Sequence, residues 1–250
     1  MRTRILSTTA LTLALGAALT GCGSSGGSTT KVMTAGQVAT SVIALEDLGT
    51  GFKVDSSPDD NSKTNFGCLE GLDSLDKNKI KAPRSKETDY AADSEIGVPA
   101  VFSKVGSFAT ADTAASILTK FKAAVDGCTS VDATDTDGFH VKLTVTTDET
   151  TSGPGATRQV NMTASGTGTT QGLTFPFGIR MSAIQVGNDI TLVGFVSFGN
   201  DIKPEADKIC SIALERLVAV LDGKKPSPAP ANLHVVTESE ILGGGSSSGA

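Results

Sequence analysis

Residues 140–198 place four strand-like runs in close succession: HVKLTVTTDE, TRQVNMTASG, LTFPFGIRMSAIQV and DITLVGFVSF. They are rich in Val, Ile, Thr and Phe and bounded by Gly, Asn and Asp, the composition and punctuation of β-strands. Parallel neighbours need a crossover of roughly a dozen residues or more. The connectors here are shorter, and VGND (Val186 to Asp189) reads as a tight hairpin turn. Consecutive strands therefore pair antiparallel, and the rest of the chain has to pack on that sheet.

The flanking segments supply helices and two further strands. Thr34 is placed to cap a short helix with Val38, Val42 and Leu45 along one face, and Gly49 and Gly51 stop it. KVDSSPDDNSKTNFG reads as an exposed loop, and Leu69, Leu72 and Leu75 predict a second short helix. Two strands are expected around Gly97 and Pro99. Thr110 caps the clearest helix, with Ala114, Leu118, Phe121 and Val125 in one stripe and Gly127 as its stop. After the loop TSVDATDTDGF and the four strands comes DIKPEADKICSIALERLVAVL. Pro204 suits its first turn, and Ala206, Cys210, Ala213, Leu217 and Val220 lie on one side. The order α-α-β-β-α-β-β-β-β-α implies an α+β fold: an antiparallel sheet of about six strands with helices covering one face. The domain is expected over residues 34–222, followed by a peripheral, partly disordered tail over 223–250.

The amino terminus carries a different signal. MRTR precedes the apolar run ILSTTALTLALGAAL, a positive segment followed by a core of signal-peptide length. A spanning helix needs about 20 consecutive apolar residues, and this run is shorter and interrupted by Ser7, Thr8, Thr9 and Thr12. LTGC (Leu19 to Cys22) resembles a bacterial lipobox. That resemblance implies cleavage after residue 21 and a diacylglyceryl group on the Cys22 thiol. Two acyl chains suffice for stable anchoring, at about 0.8 kcal/mol per buried CH₂. GSSGGSTT then has flexible-linker composition. The expected organisation is a signal peptide over 1–21, a tether over 22–33, and a single extracytoplasmic domain held at the cell membrane by lipid.

Charge narrows the partners. The chain carries −6, and loss of residues 1–21, with Arg2 and Arg4 and no acid, takes it to −8. No Lys/Arg cluster stands against that excess, so nucleic acid is not an expected partner. A basic patch for anionic lipid is also missing, which leaves the acyl chains to supply attachment. The remaining expected partners are a small molecule, a lipid or an envelope protein.

ALEDLGTGF near the start, the early Cys68, a helix ending at Cys128 and the VGNDITLVGFVSF hairpin before a closing helix resemble the PknH-like extracellular sensor domain over about residues 35–222. That family is found outside mycobacterial serine/threonine kinases and in actinobacterial lipoproteins. Low aromatic content, no Trp and abundant Ala, Thr, Ser and Gly also resemble secreted proteins of high-GC Gram-positive bacteria. The resemblance implies an antiparallel sheet with helices around a cleft, disulfides and an unidentified ligand. The kinase Gly-rich loop, strand lysine and HRD loop are absent, so no signalling activity carries over.

Candidate chemistry is sparse. His140 and His234 are the two histidines; no GxSxG elbow between a strand and a helix accompanies them, the GSSSG of residues 245–249 being part of the glycine-serine tail, and both are expected as surface imidazoles. In DATDTDGFH (Asp132 to His140), aligning Gly138 with the invariant EF-hand glycine puts Ala133 and Thr144 where acids are required. No Cys/His spacing suits zinc, and GTGTTQG (Gly166 to Gly172) lacks the Lys-Ser/Thr of a phosphate loop and reads as a β-turn. No catalytic residue, metal ligand or cofactor is therefore assigned, and ligand-binding residues are not identified. Phe175, Phe177, Ile179 and Met181 share one strand face; they read as core, and as the first candidate wall should an apolar groove exist.

With Cys22 used for lipidation, Cys68, Cys128 and Cys210 remain, an odd number in an oxidising compartment. Cys128 continues an inward stripe at a helix end. Cys68 follows a loop, where backbone can adjust to disulfide geometry. Cys210 sits mid-helix among apolar residues, as buried free cysteines do. The expected bridge is Cys68–Cys128, ahead of either pairing with Cys210. The functional expectation is a membrane-anchored, non-enzymatic ligand-binding or sensing module, with a carrier of lipid or another apolar molecule as the alternative.

Overall fold

The computed structural model describes residues 31–55, 68, 82–94, 97–134, 138–170, 172–199 and 201–243. Cys22, the signal segment, most of the tether and the helix expected around Leu69 to Leu75 lie outside them. The elements are α1 (Ala35–Ser41), β1 (Phe52–Val54), β2 (Arg84–Ala92), β3 (Ala100–Ser107), α2 (Ala111–Asp126), β4 (Ser130–Thr134), β5 (His140–Asp148), β6 (Arg158–Thr170), β7 (Leu173–Val186), β8 (Asp189–Phe198), α3 (Lys203–Leu221) and α4 (Glu238–Gly243). A short 3-10 turn, Leu45–Asp47, follows α1. No helix among the described residues is long and apolar enough to cross a membrane.

The strands form one sheet in the order β1-β2-β3-β8-β7-β6-β5-β4, antiparallel throughout. The fold is α+β with eight strands rather than about six. The two extra strands are the edges, β1 and β4. Both fall in segments that read as loops, Lys53 and Val54 in one and Val131 to Thr134 in the other. Each is short and each buries a single residue, Phe52 or Val131, so hydrophobic alternation had almost nothing to register. GTGTTQG is likewise mostly strand. β6 runs to Thr170, and Gly166 lies so close to β5 that a Cβ there would sit 2.0 Å from Lys142 O.

The helices cover both faces of the sheet, not one. On β7 and β8, Ala183 and Ile190 pack in a core with α2, whereas Ile184 and Val193 pack in a second core with α3. Adjacent residues of a strand point to opposite faces, so α2 and α3 lie on opposite sides. The α2 stripe is as expected, with Ala114, Leu118, Phe121 and Val125 buried, Thr110 accepting from Thr113 N–H at 3.2 Å, and Gly127 at the end. On α3, the expected Ala206, Cys210, Ala213, Leu217 and Val220 are all buried.

Thr34 caps α1 in a reciprocal capping box with Gln37. The helix ends at Ser41, earlier than its apolar pattern implies. Val42 is extended, the Ile43 N–H donates to Ser103 Oγ at 3.1 Å, and the hydroxyl of Tyr90, the chain's one tyrosine, donates to Ile43 O at 2.8 Å. Side chains of β2 and β3 thus capture the backbone at Ile43, and Leu45 is left exposed. The segment after α3 is not wholly peripheral. Ala231 and Leu233 are buried, and their N–H groups donate to Asp47 O and Leu48 O at 2.7 and 3.1 Å.

Candidate functional site

Two neighbouring strands carry polar side chains inward. Gln159, Asn161 and Thr163 alternate on β6, and Arg180 and Ser182 stand opposite them on β7, since Asn161 pairs with Ser182 and Thr163 with Arg180. They occupy the sheet face turned toward α3, away from the apolar set Val160, Met162 and Ala183. Gln159, Asn161, Arg180 and Ser182 are all buried, so the chain has to satisfy them internally.

It does so by drawing in the loop after β5. Gln159 Nε2 donates to Ser152 Oγ at 2.8 Å and to Asn161 Oδ1 at 2.6 Å, and Ser152 N–H donates to Gln159 Oε1 at 2.6 Å. Asn161 Nδ2 donates to Asp148 Oδ1 at 2.7 Å and to Thr150 O at 3.0 Å. Ser182 Oγ donates to Asn161 Oδ1 at 2.7 Å, and the Cys210 thiol donates to Ser182 Oγ at 3.1 Å. Glycines let the loop approach the helix. A Cβ on Gly153 would meet Leu214 at 3.6 Å, and one on Gly155, at φ +95°, would meet Val218 at 2.8 Å.

Arg180 is the charged centre of this layer. Its Nη1 donates to Thr163 Oγ1 at 2.7 Å, its Nη2 lies 3.1 Å from Asp207 Oδ1, and Asp148 Oδ2 stands off at 3.9 Å. Its buried Nε has no hydrogen-bond partner. Burial opposes ionisation of Asp148. Hydrogen bonds from Thr150 and Asn161, with the charge of Arg180, overcome it and hold the carboxyl below its ordinary range. Burial pushes the Cys210 thiol up, which leaves it an unreactive small hydrophobe.

Between the loop and α3 lies a half-open groove of about 380 Å³, within the size range of small-molecule sites. Ser152, Gly153 and Pro154 form one wall, and Ser211, Leu214, Glu215 and Val218 of α3 form the other. Asp222 and Lys224, paired at 2.9 Å, close one end. The lining offers hydroxyls and a carboxylate beside aliphatic surface. That suits reversible binding of a small amphiphilic molecule.

Of the residues singled out by sequence, Cys210 touches this layer through Ser182, and the other described ones lie elsewhere. Cys68 and Cys128 are joined, with Cα atoms 5.3 Å apart, and Cys210 is buried and unpaired. His140 sits on the β4–β5 hairpin with its Nε2 2.8 Å from Asp132 Oδ1, and His234 pairs with Glu240 at the same distance. Both pairs are exposed. Phe175 and Phe177 are buried in an aromatic cluster with Phe139 and Phe198. Ile179 and Met181 are only half-buried. No group of three potential metal ligands occurs among the described residues. Sequence reading missed Asp148, Gln159, Asn161, Arg180 and Asp207. The signal available was a polar residue at every second position of β6, where a one-faced sheet predicts solvent.

No family model matches the chain and no curated protein is significantly similar to it. Among solved structures, the extracellular domain of PknH from Mycobacterium tuberculosis aligns over 78% of this chain and 99% of its own, with a TM-score of 0.54 and 12% identity. The chain is thus similar in fold to a PknH extracellular domain.

Proposed function

We propose that this protein is a membrane-anchored, non-enzymatic module that binds a ligand outside the cell membrane and works as a sensor. The observation that carries the reading is a fold shared, over nearly the whole of that domain, with an extracellular domain. Three features support it. The LTGC motif and glycine-serine tether suit a lipid anchor at Cys22. A Cys68–Cys128 bridge suits an oxidising compartment. The groove between the β5–β6 loop and α3 suits a small molecule.

The half-buried row Ile179, Met181, Leu192 and Val196 on the α2 side of β7 and β8 favours a second reading, a carrier of lipid or another apolar molecule. Native mass spectrometry of protein purified from its own host separates the two. A bound small molecule that is lost from a folded Ser211→Phe variant supports the groove and the sensor. A bound lipid retained by that variant supports the carrier. Turnover in a hydrolase substrate panel refutes both.

A further inference from the structure

Where the expected tether joins the domain, Met33 is buried, and its N–H donates to Ser107 Oγ at 2.9 Å. Ser107 is fully buried and pairs in register with Asp189, whose carboxylate accepts its hydroxyl. Asp189 is 1% exposed, and its Oδ1 has no partner. Thr191, two residues along the same face of β8, also has a buried hydroxyl without a partner. Around them Met33, Val38 and Val42 pack with Val105, Leu217 and Val220. The attachment at the Met33 end of the segment therefore runs through a serine hydroxyl to a carboxyl group that is short of donors, while Arg216 holds the far end at Thr40 O.

We propose that Asp189 is a proton-responsive latch, which fastens the Met33 end of residues 33–42 to the domain more tightly in mild acid than at neutral pH. An ionised carboxylate at this depth has lost its water and holds one hydroxyl in return. A proton on Oδ1 removes the charge and turns an unsatisfied acceptor into a donor.

The charged groups on the surrounding elements do not neutralise it. On β2, Arg84 and Lys86 stand in register with Ser107 and Val105, but both are exposed, and Arg84 donates to Pro83 O. On β7, Arg180 is held by Asp207. On α3, Arg216 is held by Asp47, while Glu215, Asp222 and Lys224 are exposed. Helix α1 carries no charged residue, and Lys31 before it is exposed. Burial accordingly pushes the Asp189 carboxyl up. The docked state then binds the proton more tightly than an undocked state in which Asp189 is wetted. Docking strengthens as pH falls through the raised value toward the ordinary carboxylate range, and weakens as pH rises through it.

The test is an NMR titration of the full domain with Asp189→Asn and Ser107→Ala variants. The Asp189 carboxyl is expected to titrate above about 3.9, its ordinary value, and the Met33 amide to move with the same midpoint. Each unit of elevation corresponds to as much as a roughly tenfold gain in hydrogen-exchange protection of the Met33 amide in acid, after correction for intrinsic rates. In Asp189→Asn the Met33 amide no longer titrates and its gain in protection in acid is lost, whereas Thr40, held by Arg216, serves as the internal reference. In Ser107→Ala the carboxyl still titrates while Met33 stays silent. A carboxyl that titrates at or below the ordinary value overturns the proposal, as does a Met33 titration that survives in Asp189→Asn.

Discussion

Asp47 and Arg216 are 169 residues apart in the chain, yet Arg216 Nη1 donates to Asp47 Oδ2 at 2.8 Å. Both are buried. Arg216 Nη2 also donates to Thr40 O at 2.9 Å, and Asp47 Oδ2 accepts the Ala44 N–H at 2.7 Å. The pair thus ties the turn after α1 to the middle of α3. Burial pushes the Asp47 carboxyl up in spite of the Ala44 hydrogen bond and the Arg216 charge, so desolvation outweighs the pairing.

Arg216→Met is therefore expected to destabilise the domain by about 3–5 kcal/mol, the cost of an uncompensated buried charge. Adding Asp47→Leu is expected to restore most of that loss, because two apolar groups leave nothing unpaired. Urea unfolding of the wild type, both single variants and the double variant measures the coupling. Additive losses would show that the two residues act independently.

The same pair marks what the sequence could and could not reveal. ALEDLGTGF stood out as a motif, and its parts have structural uses: Asp47 in the ion pair, and Gly49 at φ +97°, where a Cβ would lie 3.0 Å from the Asn232 backbone. The partners Arg216 and Asn232 come from distant segments with no local pattern, so only the fold reveals them. The strands of residues 140–198, the α2 stripe and the α3 face were legible because each has a strong period and clear end signals. The second covered face was not. Gln159, Asn161, Arg180 and Ser182 spell a solvent-facing alternation, whereas α3 and the β5–β6 loop bury them. The candidate groove follows from that burial and was equally hidden.

For the cysteines, peptide mapping without reduction is expected to yield a Cys68–Cys128 crosslinked peptide. Cys210, 2% exposed, is expected to alkylate only after unfolding. The bridge closes a loop with a sequence separation of 60, and its removal by Cys128→Ser is expected to cost about 4 kcal/mol in the chain-entropy model. A crosslink from Cys210 to either partner would contradict the packing of α3.

Gly166→Ala tests the close contact of β5 with β6. The new Cβ would fall 2.0 Å from Lys142 O and 3.0 Å from Leu143 Cα. Both are backbone atoms of a paired strand and cannot turn aside. A loss above about 3 kcal/mol is expected, in the tail of single-residue effects. Gly172→Ala, with nothing within 4 Å but φ +80°, is expected to cost only about 1 kcal/mol. Thermal melts of the two variants check the ranking, and equal losses would contradict it.

The carboxyl-terminal helix gives a pH prediction. Hydrogen bonds from the Thr237 backbone and hydroxyl and from His234 hold the Glu240 carboxyl at about 2. A depressed carboxyl stabilises its contacts fully above its ordinary value, and the benefit is lost as pH falls through the lowered one. The start of α4 is therefore expected to stay ordered from neutral pH to about 4.5 and to fray between there and about 2. Amide shifts of residues 237–241 across that range, in the wild type and in Glu240→Gln, provide the check. An unchanged titration in Glu240→Gln would assign the fraying to another group.

Fatty-acid labelling in the host tests most directly the proposed lipid anchor at Cys22, on which the protein would stand outside the membrane. A clickable fatty-acid probe is expected to label the wild-type protein and to leave Cys22→Ala unlabelled at equal expression. An unlabelled wild type, or a Cys22→Ala variant that still carries the probe, would contradict the anchor.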